Sequence, residues 1–262
     1  MNTYCLDPHL LKRRIRVLVV GCGGNGSAFV SGLPYLHQAL LAFDHPGGLQ
    51  VTLVDPDTVS ESNCYRQAFC RSEIGLSKAI VLAHRTNLFW RLDWKGMQAS
   101  IEDIRSEEAD FVIGCVDTRK ARRAIDKWTR QSRVLCYLDM GNSAHTGQMI
   151  LGEPRNDINR KKSNRLPVVG ELYPEILSAD GKDEEEPSCS AAESLIRQEP
   201  FVNQVLAIHS LALLTQLLRH GSITHQGAFC NLKNGNVTPV PVQFVQPAKR
   251  RRKAATTPGE ER

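Results

Sequence analysis

The sequence predicts an α/β doubly wound fold: a Rossmann-like, mostly parallel sheet with helices on both faces, extended by a C-terminal helix and β-hairpin. Three observations carry that expectation. An apolar run, Val17-Leu18-Val19-Val20, leads straight into glycines at 21, 23, 24 and 26. A helix-forming stretch follows, and a second apolar run then ends on Asp55. Beyond it, short apolar runs continue to alternate with helical segments up to about residue 152.

Taken in order, residues 1 to 15 are short and mixed and end in Lys12, Arg13 and Arg14. The first strand, its glycine turn and the next helix form a nucleotide-binding β-α-β unit. Gly21 permits the tight turn, Gly23 lets the backbone approach a phosphate, and Gly26 allows close helix packing. The helix N-terminus can then offer free N–H groups to an anion, and Asp55 is placed to accept from a ribose hydroxyl. A helix over 25 to about 43 is expected to kink at Pro34, and the turn residues Asp44 to Gly48 form a loop. Ser77 caps a helix starting at Lys78. Further strands are expected at Met97 to Ile101, Ala109 to Val116, Val134 to Met140 and Gly147 to Leu151, with a helix from Arg119 to Gln131.

From Pro154 to Ser190 the periodicity gives way to polar, proline-containing sequence, a crossover that is either functional or mobile. Helix returns over Ala191 to Leu218, with Pro200 opening a second segment and Gly221 as a stop. Gln226 to Val242 reads as a hairpin turning at Asn234-Gly235. The expected organisation is a nucleotide-binding core at 1–152 and a polar crossover at 153–190. A helix and hairpin at 191–245 complete the domain, and a disordered basic tail occupies 246–262.

Composition narrows the function classes. Of the formal net charge of +5, the tail residues Lys249 to Lys253 could supply much of the excess. The body is then near neutral, which argues against a broad nucleic-acid-binding face. Eight cysteines are scattered with no Cys-x-x-Cys, the usage of a reduced compartment. No apolar run is long enough to span a bilayer, so a cytoplasmic protein without membrane contact is expected.

Asp55, Asp57, Asn63, Arg66, Gln67, Lys78 and Asp117 fall, in that order, just past the C-terminal ends of predicted strands, where open α/β sheets bind ligands. Singly, each has a plain reading: a strand-end carboxylate, a solvated cation, a helix cap. Jointly they are specific. The glycines, then D-x-D-x-V-x-x-S-N-x-x-R-Q, a lysine eleven residues past Gln67, and Asp117 with Arg122 resemble the adenylation fold of ubiquitin-activating (E1), ThiF and MoeB proteins over residues 17 to 151. The stretch PSCSAAESLIRQEP around Cys189 resembles the cysteine-bearing crossover of ThiF-like proteins. With the terminal hairpin, it makes the chain similar to the ThiF-family member of the PRTRC gene system.

The resemblance implies ATP-dependent activation of the C-terminal carboxylate of a small ubiquitin-like or sulfur-carrier protein. Arg66 and Lys78 would neutralise the phosphates, Asn63 and Gln67 would hydrogen-bond around them, and Asp117 would hold Mg2+. No general base is required, because the attacking carboxylate is ionised at neutral pH. Onward transfer through Cys189 stands beside a non-functional thiol, since the acidic run Asp183 to Glu186 would raise a nearby thiol pKa. The absence of Cys-x-x-Cys pairs leaves no zinc site expected. The family's N-terminal R-Y-x-R-Q segment, which lends an arginine to the partner subunit, is missing. Arg13 and Arg14 are the stand-ins, and the homodimer that the family implies stays open. Two alternatives remain: a nucleotide-binding scaffold without turnover, and an NAD-dependent oxidoreductase, against which the Asn63, Arg66, Gln67 and Lys78 series speaks.

Overall fold

Aliphatic and β-branched runs that are buried on both faces can only be central strands of a covered sheet. The structure, a computed structural model, describes residues 1–105, 107–178 and 199–245. In chain order its elements begin with β1 (Tyr4–Cys5), β2 (Ile15–Val20), α1 (Gly24–Ala42), β3 (Leu49–Val54), α2 (Lys78–Trp90) and β4 (Lys95–Met97). There follow β5 (Phe111–Gly114), α3 (Arg119–Gln131), β6 (Cys136–Asn142), β7 (Thr146–Gly152) and the single-turn α4 (Val169–Leu172). The described chain closes with α5 (Val202–His220), β8 (Ser222–Ile223), β9 (His225–Asn231) and β10 (Asn236–Pro241).

The main sheet has the order β10-β9-β7-β6-β5-β2-β3-β4. The five strands from β6 to β4 are parallel, and β7, β9 and β10 continue the sheet antiparallel. The chain winds from β2 through β3 to β4, then returns to place β5 on the other side of β2. That reversal opens a crevice beyond the C-terminal ends of β2 and β5. Alternate residues of the strands feed two cores. Val17, Val19, Leu53 and Ile113 pack with Phe29, Leu33, Leu82 and Leu214, on the face that carries α1, α2 and α5. Leu18, Val54, Val112 and Tyr137 pack with Ile125 and Val169, on the face that carries α3 and α4.

Some boundaries agree with the sequence reading, and others differ for local reasons. Helix α1 is one element across Pro34, whose ring is buried. The strand expected at Met97 to Ile101 is β4 at Lys95–Met97, because Ser100 donates from Oγ to Asp103 Oδ2 (2.6 Å) and starts a 3-10 turn at Ile101–Asp103. The hairpin turns at Gly235, which takes φ +71°, and Gly221 ends α5 in the left-handed region at φ +73°. Helix α5 starts at Val202 after Phe201.

The polar crossover is where the expectation needs most correction. Over 153–178 four of its polar residues, Glu153, Asn156, Asn159 and Arg165, are buried. Glu153, fully buried, accepts from Tyr4 Oη (2.9 Å) and from the Leu166 N–H (3.0 Å). Asn156 Nδ2 donates to Val134 O (2.7 Å) and Thr129 O (3.2 Å), and Asn159 Nδ2 to Val134 O (3.1 Å) and Leu135 O (3.0 Å). Arg165 grips Glu171 through two hydrogen bonds of 2.8 and 2.7 Å. These side chains supply the partners that a strand would have found in a sheet. The remainder of the crossover with Cys189, the helical expectation at 191–198 and the basic tail at 246–262 lie outside the described residues.

Arg13 and Arg14 sit before β2, at the end of the sheet opposite the crevice. Arg13 makes two hydrogen bonds to Asp110 (2.8 and 2.6 Å) and Arg14 pairs with Asp93 (2.8 Å). Both are engaged within their own chain, which speaks against either as the arginine lent to a partner. Arg16 also binds Asp110. Burial alone would raise the Asp110 pKa, but the hydrogen bonds from Arg13 and Arg16 outweigh it and hold the carboxyl below its ordinary value.

Two predictions follow from this packing. Asn156→Ala removes the donor to Thr129 O, leaves Val134 O with Asn159 alone and takes the acceptor from the Ile158 and Asn159 N–H groups; it should lower the free energy of urea unfolding by about 2 kcal/mol, whereas an exposed loop would show no change. A carboxylate with a depressed native pKa stabilises the fold fully above its unfolded pKa and loses that contribution as pH falls through the native value. Asp110→Asn should therefore destabilise strongly at pH 7 and progressively less towards pH 3 in urea titrations, and an equal loss at both would contradict it.

Candidate functional site

Gly21, one residue past β2, has φ +92°, and a Cβ there would lie 2.8 Å from Cys115 O. A Cβ on Gly26 would lie 1.9 Å from Gly21 O, so α1 can approach the turn this closely only with glycine at 26. A Cβ on Gly23 would meet nothing within 4 Å; it would protrude into a cavity of about 370 Å³ beyond the ends of β2, β3 and β5. The first-turn N–H groups of α1 lack intrahelical acceptors and border this space.

Of the residues picked out in the sequence, Gly21, Gly23, Gly24, Asp55 and Asp57 line the cavity. So do Arg66, Gln67, Lys78 and Asp117. Gly26 and Asn63 do not. Asn63 is buried and accepts the Ser60 N–H through Oδ1 (2.9 Å), shaping the 3-10 turn Glu61–Tyr65 that delivers Arg66 and Gln67. Its Oδ1 serves the loop.

Asp55 is 5% exposed and accepts two backbone N–H groups, from Cys22 to Oδ2 and from Asp57 to Oδ1 (2.8 Å). It thereby ties the glycine turn to the loop after β3. Burial, the largest effect, raises its pKa against the pull of those two bonds. Each oxygen keeps a further acceptor site.

Lys78 opens α2, whose cap is Ser77 accepting from the Ile80 N–H. Its buried Nζ lies 3.0 Å from Asp57 Oδ2, while Asp57 itself is exposed. The two segments are zipped together: Val59 N–H to Leu76 O (2.8 Å), Gly75 N–H to Val59 O (2.8 Å) and Lys78 N–H to Asp57 O (3.1 Å). Asp117 follows β5 and is not the cap of α3. That role belongs to Thr118, which accepts from the Ala121 N–H (3.1 Å). Close by, buried Arg122 pairs with Asp139 (3.2 Å), which also accepts from Tyr137 Oη (2.8 Å).

The sequence reading missed Asn25, Asn142 and Asn203, which line the side of the cavity nearest β6 and α5, and Ser100 and Glu102 on the β4 side. Asn25 stands inside the glycine run and could have been noticed there; Asn142 and Asn203 carry no local signal. Cys115 also lines the cavity, but burial, followed by Asp139, pushes its thiol pKa well above the ordinary range. It is a packing residue and not a thiolate. Among the described residues no group of three or more His, Cys, Asp or Glu side chains could hold a metal ion. A Mg2+ ion fits here only as a phosphate-borne ion with water and a single carboxylate, a mode that Mg2+ commonly adopts.

A glycine cradle, two cations and a strand-end carboxylate meet at the switch point of a doubly wound α/β sheet, the place where such sheets take ligands. The profile of the ThiF family matches residues 10–255, and the chain belongs to that family. Among solved structures, E. coli MccB superposes with a TM-score of 0.60 at 16% identity, covering 97% of this chain and 69% of MccB. E. coli MccB with AMPCPP and MccA gives 0.60 at 15% identity, covering 92% and 67%. PaaA gives 0.58 at 15% identity, covering 88% and 65%. The chain thus spans about two thirds of these proteins' lengths, and at such identities the likeness is one of fold. A search of the curated proteins finds no match. No helix among the described residues is long and apolar enough to cross a membrane.

Because Gly21 O blocks any side chain at 26, Gly26→Ala should cost about 3 kcal/mol in urea unfolding. An unchanged midpoint would mean that the turn is looser than described.

Proposed function

We propose that the cavity binds ATP and that the protein adenylates the C-terminal carboxylate of a small ubiquitin-like or sulfur-carrier protein. The observation that carries this is the convergence of Arg66, Gln67, Lys78 and Asp117, scattered over fifty residues of sequence, on one cavity floored by the glycine turn. Membership of the ThiF family supports the reaction class. MccB structures that contain AMPCPP and MccA support a nucleotide together with a peptide-like partner.

In this reading the ribose sits at Asp55 and the phosphates run over Gly23 and the α1 N-terminus. A carboxylate oxygen of the partner forms a bond to the α-phosphorus, the bond from that phosphorus to the bridging oxygen breaks, and pyrophosphate leaves. No proton moves. The barrier is that two anions must meet, so the residues' work is electrostatic positioning. Arg66 and Lys78 take up phosphate charge, and Asp57 holds the Lys78 ammonium in place until phosphate competes for it. When bound, Mg2+ would add charge neutralisation, and Asp117 is the residue to hold it. Asn63 and Gln67 hydrogen-bond around the phosphates, and Asn63 Oδ1 shapes the Arg66 loop. Onward transfer to Cys189, a homodimer, a cytoplasmic location and the PRTRC assignment belong to this proposal. The free thiols among the described residues fit a reduced compartment.

With ATP, magnesium and the cognate carrier, the protein should catalyse pyrophosphate exchange. Asp117→Ala and Arg66→Ala should each lower it at least ~100-fold without a change in melting temperature. Unchanged exchange in both variants would remove these roles. ATP binding with no carrier adenylate detectable by mass spectrometry would instead leave a scaffold, and saturable NADH binding would favour the oxidoreductase.

A further inference from the structure

The amides on the β6 side of the cavity do work that a nucleotide alone does not require. Asn142, the last residue of β6, donates from Nδ2 to Ser143 O (3.0 Å). Its Oδ1 therefore faces Asn25, and Asn25 must present Nδ2 to it (2.9 Å). That fixes the Asn25 amide with its Oδ1 turned the other way. Asn25 is 6% exposed, lines the cavity, and its Oδ1 is buried without a hydrogen-bond partner. Buried acceptors in native proteins are almost always satisfied, so this oxygen points to a donor that arrives with a ligand.

The chemistry of the ligands then discriminates between them. Phosphate, pyrophosphate and carboxylate oxygens are acceptors and cannot satisfy Oδ1. The donors of ATP are its ribose hydroxyls and adenine amino group. With the ribose at Asp55, just past β3, they lie on the far side of the cavity. Asp55 and Asn142 end strands three places apart in the sheet, roughly 14 Å at the usual strand spacing. What remains on the β6 side is the chain whose carboxylate is activated, and its last peptide group carries an N–H. The surroundings suit a peptide. Asn142 and Asn203 are neutral amides, and Gly24 presents bare backbone there, since a Cβ on it would lie 2.5 Å from Asn203 Nδ2.

We propose that Asn25 Oδ1 accepts the N–H of the last peptide bond of the partner's C-terminal tail. The contact would orient the terminal carboxylate toward the α-phosphate and select a peptide over a simple carboxylic acid. This rests on the adenylating reading above, and the test separates the two. The probes are acyl-sulfamate analogues of an acyl adenylate, with adenosine linked to an acetyl-glycyl-glycyl tail. In one the last amide is intact; in the other its N–H is replaced by an ester oxygen.

Isothermal titration of the unaltered protein should show the amide probe binding about tenfold more tightly than the ester, the worth of one buried hydrogen bond. In Asn25→Leu the two probes should bind alike. Because the first comparison uses the unaltered protein, poor folding of the variant cannot hide a failure. Equal binding of the two probes by the unaltered protein, as a resident water at Oδ1 would give, overturns the inference and leaves the adenylating reading standing. A preference for the amide that survives Asn25→Leu overturns the assignment to Asn25. Failure to bind ATP and either probe overturns the adenylating reading, and the inference with it.

Discussion

The turn between β2 and α1 has no room for a side-chain carbon at its closest point, and the cavity is a consequence of that crowding. With residue 26 pressed against Gly21 O, the first turn of α1 is drawn over the strand ends and its unpaired N–H groups face the crevice. Asp55 then locks the arrangement by taking the Cys22 N–H on one oxygen and the Asp57 N–H on the other. The second bond starts the loop that brings Arg66 and Gln67 back over the crevice. Remove the close approach, and neither the cradle nor the loop has a fixed position.

Charge is distributed across the cavity in keeping with that geometry. Lys78 is buried and would be costly as a lone ammonium, so its partner Asp57 stabilises it in the absence of a competing anion. Arg122 is held the same way by Asp139. The β6 side has a different character, with three neutral amides that both donate and accept. The proposal assigns the phosphates to the cations and the partner's peptide group to these amides.

How much of this was legible in the sequence depended on whether a residue's role was local. Gly21 and Gly26 announce a turn because their spacing is itself the turn. Lys78 was placed by the cap at Ser77, and the hairpin by Asn234-Gly235. In sequence Asp117 could be a cap or a cavity residue; in the fold Thr118 takes the cap. Tertiary partners left no such trace. Asn156, Asn159 and Glu153 look like loop residues in one dimension and prove to be interior: the two asparagines donate to carbonyls of the segment around α3 and β6, and Glu153 accepts from Tyr4 and from the Leu166 N–H. The order of the series points Asn63 toward phosphate and carries no sign that the Ser60 N–H, three residues before it, also takes its Oδ1. Arg13 and Arg14 read as available cations until Asp110 and Asp93 were placed beside them.

The central claim is that the crevice holds a nucleoside triphosphate through its phosphates. Its most direct test is an equilibrium titration of the protein with Mg-ATP, repeated with Lys78→Ala. The account predicts saturable binding that weakens at least ~10-fold in the variant, in proportion to a lost charge-assisted contact. No binding by the unaltered protein, or equal affinity in the two, would contradict it.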